Sequence, residues 1–163
     1  MGLLIYIGGE WMDLPLKQWI EKYEKKTGDK FCCPDGFKLL FLPSRGFAQI
    51  KTDIEGKMII IYQLCGDAHF WHDIAEVIAV NSGLECIATI CTRKIEPYIR
   101  FWGWKIDRIY ELPDGLKRYF GYDKFGRPFV ASPKNTDENG ETSYYVCHYM
   151  LKGVIDYGEE RKL

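Results

Sequence analysis

Met58-Ile59-Ile60-Ile61-Tyr62-Gln63-Leu64-Cys65-Gly66-Asp67-Ala68 is the stretch on which the fold turns. Its apolar, β-branched first half shows no alternation, which predicts a strand covered on both faces and central in its sheet. Gly66 marks a bend, and Asp67 is a residue type that caps helices. Beyond it Phe70, Ile74, Val77 and Ile78 recur at helical spacing. They predict a helix from Asp67 to about Ser82, ended by Gly83, with these four side chains as its buried stripe. Residues 84–90 form a second continuous apolar run, and a helix joining two such strands predicts a parallel pair with a right-handed crossover.

On the N-terminal side, residues 37–42, 47–53 and 57–64 predict an antiparallel meander, separated by Pro43-Ser44-Arg45-Gly46 and Ile54-Glu55-Gly56. A helix is expected over 14–26 from Leu16, Trp19, Ile20 and Tyr23, with Asp13 as cap and Gly28 as stop. Residues 3–7 predict one more short strand. On the C-terminal side a short helix over 95–102 stops at Gly103. A strand over 104–112 is expected to turn Trp104, Ile106, Tyr110 and Leu112 to one face. Residues 117–122 and 127–131 predict a hairpin around Asp123-Lys124-Phe125-Gly126. Residues 133–142 are expected as a polar, mobile loop, 143–151 as a packed β segment, and 158–163 as a frayed end.

The 163 residues suit one domain, core about 3–112, with a β-rich aromatic extension over 113–163. Hydrophobic residues at 47% and aromatics at 15% exclude a disordered chain. A net charge of −1 gives no global field for nucleic acid or an anionic membrane. No apolar run reaches the ~18 residues of a membrane span, and no secretory signal is read. The six cysteines fall mostly in apolar segments, and Cys32-Cys33 lack the gap of a zinc knuckle. The expectation is therefore a cytoplasmic protein with reduced thiols and no metal.

Gln63-Leu64-Cys65-Gly66-Asp67-Ala68 fits Gln-x-x-Gly-x-Ala, and the chain resembles the GNAT superfamily of N-acetyltransferases, whose first signature has that form. Lys94-Ile95-Glu96-Pro97-Tyr98-Ile99-Arg100-Phe101-Trp102-Gly103-Trp104 resembles the second signature, a short helix ending in Gly before an aromatic residue. The resemblance covers roughly Leu14 to Leu112. It implies an α/β fold with a mixed, mostly antiparallel sheet and helices on both faces. It also implies acetyl-CoA as cofactor and an amine as substrate. Backbone amides from Leu64 to Ala68 would hold the diphosphate at a helix N-terminus, and an amide near Tyr62 would polarise the thioester carbonyl. Two positions depart from the pattern. Asp67 brings negative charge to the diphosphate loop, and Ile99 stands where family enzymes often carry the Tyr that protonates the leaving thiolate. Tyr98, next to it, is the substitute acid. The nearest likeness is to small, divergent acetyltransferase-like proteins of bacteriophages and other mobile elements. A noncatalytic accessory or structural protein, acting through protein contacts on the same scaffold in the host cytoplasm or the virion, is the alternative.

Other residues carry weaker signals. His69 and His72 stand one turn apart, a spacing open to metals, but His69, His72, Asp73 and Glu76 are expected on the solvated face of their helix. His148 reads as a packed strand histidine without a visible partner. Glu10, Asp67 and Glu85 are candidate bases for an amine. Basic residues between Arg93 and Arg127 alternate with aromatics, yet acidic residues among them leave too modest an excess to favour nucleic acid.

Overall fold

The computed structural model describes residues 13–151. The strand expected over 3–7, Glu10 and the end over 158–163 lie outside them. The elements run α1 (Leu16–Thr27), β1 (Lys38–Leu42), β2 (Gly46–Asp53), β3 (Met58–Gly66), α2 (Ala68–Asn81), β4 (Cys86–Cys91) and α3 (Ile95–Phe101). They continue as β5 (Lys105–Glu111), β6 (Lys117–Tyr122), β7 (Pro128–Thr136) and β8 (Thr142–Tyr149). All strands join one eight-stranded sheet in the order β1-β2-β3-β4-β8-β7-β6-β5. Neighbours pair antiparallel except β3 and β4, which run parallel. Among the described residues the fold is α+β with a mixed sheet and three helices.

Helices cover both faces. Trp19 and Tyr23 of α1 pack on Phe47 and Cys65. On the other face Ala68, Trp71, Ala75 and Ala79 of α2 pack with Ala48, Ile59, Ile61 and Ile87, and Ile95, Tyr98 and Ile99 of α3 join the same core. Gly28 closes α1 in the left-handed region as expected, at φ 76°. Its N-cap is Pro15, however, with no side-chain cap from Asp13.

Three expectations change. The buried side of α2 is Ala68, Trp71, His72, Ala75 and Ala79, while Val77 is 56% exposed. Small alanines let the helix axis approach the sheet, and the bulkier aliphatic stripe is displaced to the flank. The 133–142 segment is shorter as a loop than expected: β7 continues to Thr136, and a tight turn held by Asp137 leads into β8. Finally, β5 is exposed along its whole length, so Ile106 and Tyr110 lie at an open sheet edge rather than on a covered face.

The segment after Leu112 supplies β6, β7 and β8, and β8 inserts directly beside β4. It thereby completes the middle of the sheet.

The start of β2 and the end of β3 meet at two facing glycines, Gly46 and Gly66, both with positive φ. A Cβ at Gly66 would collide with the backbone carbonyl of Arg45, and one at Gly46 with that of Cys65. Only glycine avoids both the collision and the left-handed strain. Gly66→Ala is expected to destabilise the fold by about 2 kcal/mol or more, measured as a lowered urea midpoint with an unchanged slope.

Candidate functional site

The parallel ladder between β3 and β4 is short. It runs from Met58 opposite Cys86 to Ile61 opposite Thr89 and stops there, although β3 continues to Gly66 and β4 to Cys91. At the same level β3 bulges. The register with β2 passes from Ile50 opposite Ile61 to Ala48 opposite Leu64, so Tyr62 and Gln63 together face Gln49. A bulge adds a residue, increases local twist and disrupts the ladder. Here it coincides with the point at which the two parallel strands cease to pair.

The sequence-predicted residues distribute around this gap by function of their side chains. Leu64 is buried against α2 and Cys65 against α1. The Gln63 amide serves the loop after α1, donating to the Lys30 carbonyl at 2.9 Å and accepting from the Cys32 amide at 3.1 Å. The Tyr62 ring leans on Phe37, with its hydroxyl 3.9 Å from the Cys32 thiol. Burial, then Cys32, raises its pKa above the ordinary phenol value.

Asp67 caps α2 as expected, accepting from the Phe70 amide at 3.0 Å. Its other oxygen pairs with the Arg45 guanidinium. Its own amide donates to the Arg45 carbonyl, which the Trp71 indole also reaches at 2.9 Å. A carboxylate therefore fills the helix N-terminus where an anionic ligand would otherwise sit.

Tyr98 is 4% exposed and lies between Trp102 and Trp104. Burial pushes its phenol far above the ordinary value; Cys91 adds to this, and the Trp102 indole and the Thr89 hydroxyl oppose it. The hydroxyl thus stays protonated and stands beside Thr89, the last β4 residue paired to β3. A cavity of about 450 Å³ opens just past the end of β4, lined by residues including Arg93, Glu96, Arg100, Tyr119, Glu141 and Tyr144. Glu85, the other candidate base, is paired with Lys57 at 3.4 Å at the opposite end of β4.

A second polar cluster lies under α2. His72 is buried, not solvated, and its Nε2 stands 3.3 Å from Nδ1 of His148 on β8. His148 Nε2 is 2.8 Å from the Asp123 carboxylate, and His72 Nδ1 is 3.4 Å from Glu76. Arg127 closes the ring, with Nε 2.7 Å from Asp123 and Nη2 2.9 Å from Glu76. Trp102 and Trp104 flank the two imidazoles. His69 does not join; it stacks on Phe101. The partners of His148 come from α2 and from the β6–β7 turn, so nothing near it in sequence announces them. Asp123 was legible only as a turn residue.

Burial, reinforced by His72, lowers the His148 pKa to about 4, against the pull of Asp123. Burial would raise the Glu76 carboxyl, but hydrogen bonds from His72 and Arg127 outweigh it and bring the value to about 2. Asp123 is lowered too: its burial is overcome by Arg127 and His148.

No family model and no solved structure matches the chain. Over 56 residues it is 36% identical to Endonuclease NucS of Sulfurisphaera tokodaii, covering 34% of this chain. The chain thus spans only 22% of the length of that curated protein. Among the described residues no helix is long and apolar enough to cross a membrane.

Acid should destabilise the fold in two stages. His148 takes up its proton in the unfolded chain near pH 6.5 but in the folded one only near 4, so stability falls as pH drops through that window. Glu76, whose folded value lies below the ordinary 4.5, contributes stability that is lost as pH falls on toward about 2. Melting temperatures across this range should decline, and His148→Asn should flatten the upper stage.

Proposed function

We propose that the chain is a GNAT-like N-acyltransferase that passes an acetyl group from acetyl-CoA to an amine by direct attack. The observation that carries this reading is the coincidence of the β3 bulge at Tyr62–Gln63 with the end of the β3–β4 ladder at Ile61 and Thr89. An extended thioester arm can lie between strands that share a sheet but no longer pair, using the backbone groups that the ladder leaves. The element order up to α3 supports the same reading: a three-strand meander, a helix, a parallel strand and a short helix, with β8 reaching the place beside β4 only after β5, β6 and β7.

The residues fit the two ends of the cofactor unequally. This reading places the acyl-bearing arm where β3 and β4 cease to pair. The first turn of α2 does not suit a diphosphate, because the Asp67 carboxylate occupies it. The cofactor supplies an acyl group activated as a thioester. A β3 amide at the Tyr62–Gln63 bulge would be the donor to the carbonyl oxygen. The Tyr98 hydroxyl, kept protonated by burial, would be the donor to the leaving sulfur. The cavity past β4 offers room for the amine, with Glu96 at its wall to accept a proton.

Acetyl-CoA at millimolar concentration should raise the melting temperature. Tyr98→Phe should retain that shift while lowering kcat by about 10²-fold or more. A wild-type protein whose melting point ignores acetyl-CoA would overturn the reading. Asp67→Asn keeps a capping oxygen and removes the charge, so it should lower the Kd for acetyl-CoA severalfold, measured by calorimetry.

One observation favours a second reading, a noncatalytic phage-type or mobile-element protein acting through protein contacts. Among the described residues β5 is the last strand of the sheet and leaves Ile106, Ile109 and Tyr110 exposed, a position at which another chain can add a strand. The carboxylate in the α2 N-terminus agrees with it. The partial likeness to an endonuclease supports nucleic-acid binding only weakly, given the short stretch it covers.

A further inference from the structure

We propose that His72, Glu76 and His148 form a binding site for a first-row transition-metal dication, of which zinc is the natural occupant. One ring nitrogen from each histidine and one Glu76 oxygen all lie within 4.8 Å of one another. The His72 Nε2 to His148 Nδ1 separation is 3.3 Å. Two nitrogens that share a tetrahedral ion at about 2.0 Å stand roughly 3.3 Å apart, so the imidazoles already hold the spacing of a chelate. All three ligands project from regular elements: His72 and Glu76 sit at i and i+4 on α2, and His148 sits within β8. Such elements hold a constellation in place better than loops do.

The surroundings set the correct nitrogen free. The Asp123 carboxylate can only accept, so the 2.8 Å contact places the proton of neutral His148 on Nε2. The Nδ1 lone pair then points at His72, away from any protein donor but that ring. A carboxylate behind a ligating imidazole is the usual second partner of metal-bound histidine. Charge argues the same way. Two carboxylates, Asp123 and Glu76, face one guanidinium, Arg127. With neutral imidazoles the buried group carries one uncompensated negative charge. A metal ion balances it, and burial makes leaving it unbalanced costly. Glu76, at 24% side-chain exposure, forms the way in, while the two tryptophans close the rest. Three protein ligands of nitrogen and oxygen type suit zinc or cobalt better than the hard, oxygen-seeking calcium or magnesium.

The test is a cobalt titration of the chelator-stripped full chain, followed by thermal melts with zinc. One equivalent should bind with visible d–d bands and no thiolate charge-transfer band, and zinc should raise the melting temperature. His72→Gln and Glu76→Gln should each abolish or weaken binding at least tenfold with the circular dichroism spectrum unchanged. His148→Asn should abolish binding as well. A Cys32→Ser, Cys33→Ser double variant should bind as the wild type does, because those exposed thiols are the competing site. Binding that survives His72→Gln and Glu76→Gln, that vanishes with the cysteines, or that is absent at millimolar metal would overturn the assignment.

Discussion

The parallel contact between β3 and β4 organises the rest of the molecule. It joins a three-strand meander on one side to a five-strand antiparallel unit, β4-β8-β7-β6-β5, on the other, and it is only four residues long, Met58–Ile61 against Cys86–Thr89. On one face Ile59, Ile61 and Ile87 are buried with α2 and α3, and on the other Cys86 and Ala88 pack with Cys147, Met58 and Ile60. Above Thr89 nothing of the ladder continues, because the β3 bulge adds a residue and rotates the strand. The sheet is thus tied firmly at one end of its central pair and open at the other, and α2 and α3 begin beside that open end.

Two different polar arrangements flank this opening. At the bend, the Asp67 carboxylate accepts from the Phe70 amide and pairs with the Arg45 guanidinium while its own amide donates to the Arg45 carbonyl, leaving a neutralised, capped helix start. Beneath α2, His72 and His148 bridge the helix to β8, with Asp123, Glu76 and Arg127 around them. Both are places where burial of charge would be destabilising without a partner. In both, a residue far away in sequence supplies that partner. The clusters lock α2 against the sheet at its N-terminus and along its second turn, which fixes the walls of the gap.

Much of the fold was legible in the chain. The strands of the meander, the Asp67 cap, the Gly28 stop and the run from β4 through α3 to β5 follow from local pattern. Tyr98 stood out only through the resemblance to the second acetyltransferase signature, whereas Asp67 could be singled out as a cap after a Gly bend. The histidine cluster could not. His148 carries no motif, and its partners Asp123 and Arg127 look like turn chemistry, since both do hold the β6–β7 turn as well. Two imidazoles 76 positions apart meet only because β8 inserts beside β4 and runs under α2.

Sequence by itself determined where the chain extends, where it coils and where it bends, because those choices depend on side-chain sterics and hydrogen bonds within a few residues. Tertiary structure decided which side of α2 is buried. Alanines at 68, 75 and 79 allow close approach, and that approach carries His72 inward and leaves Val77 in solvent. It also decided where the parallel ladder ends, since that depends on how many residues of β3 face each residue of β2. Register and close packing are properties of pairs of elements, and no window along one strand contains them.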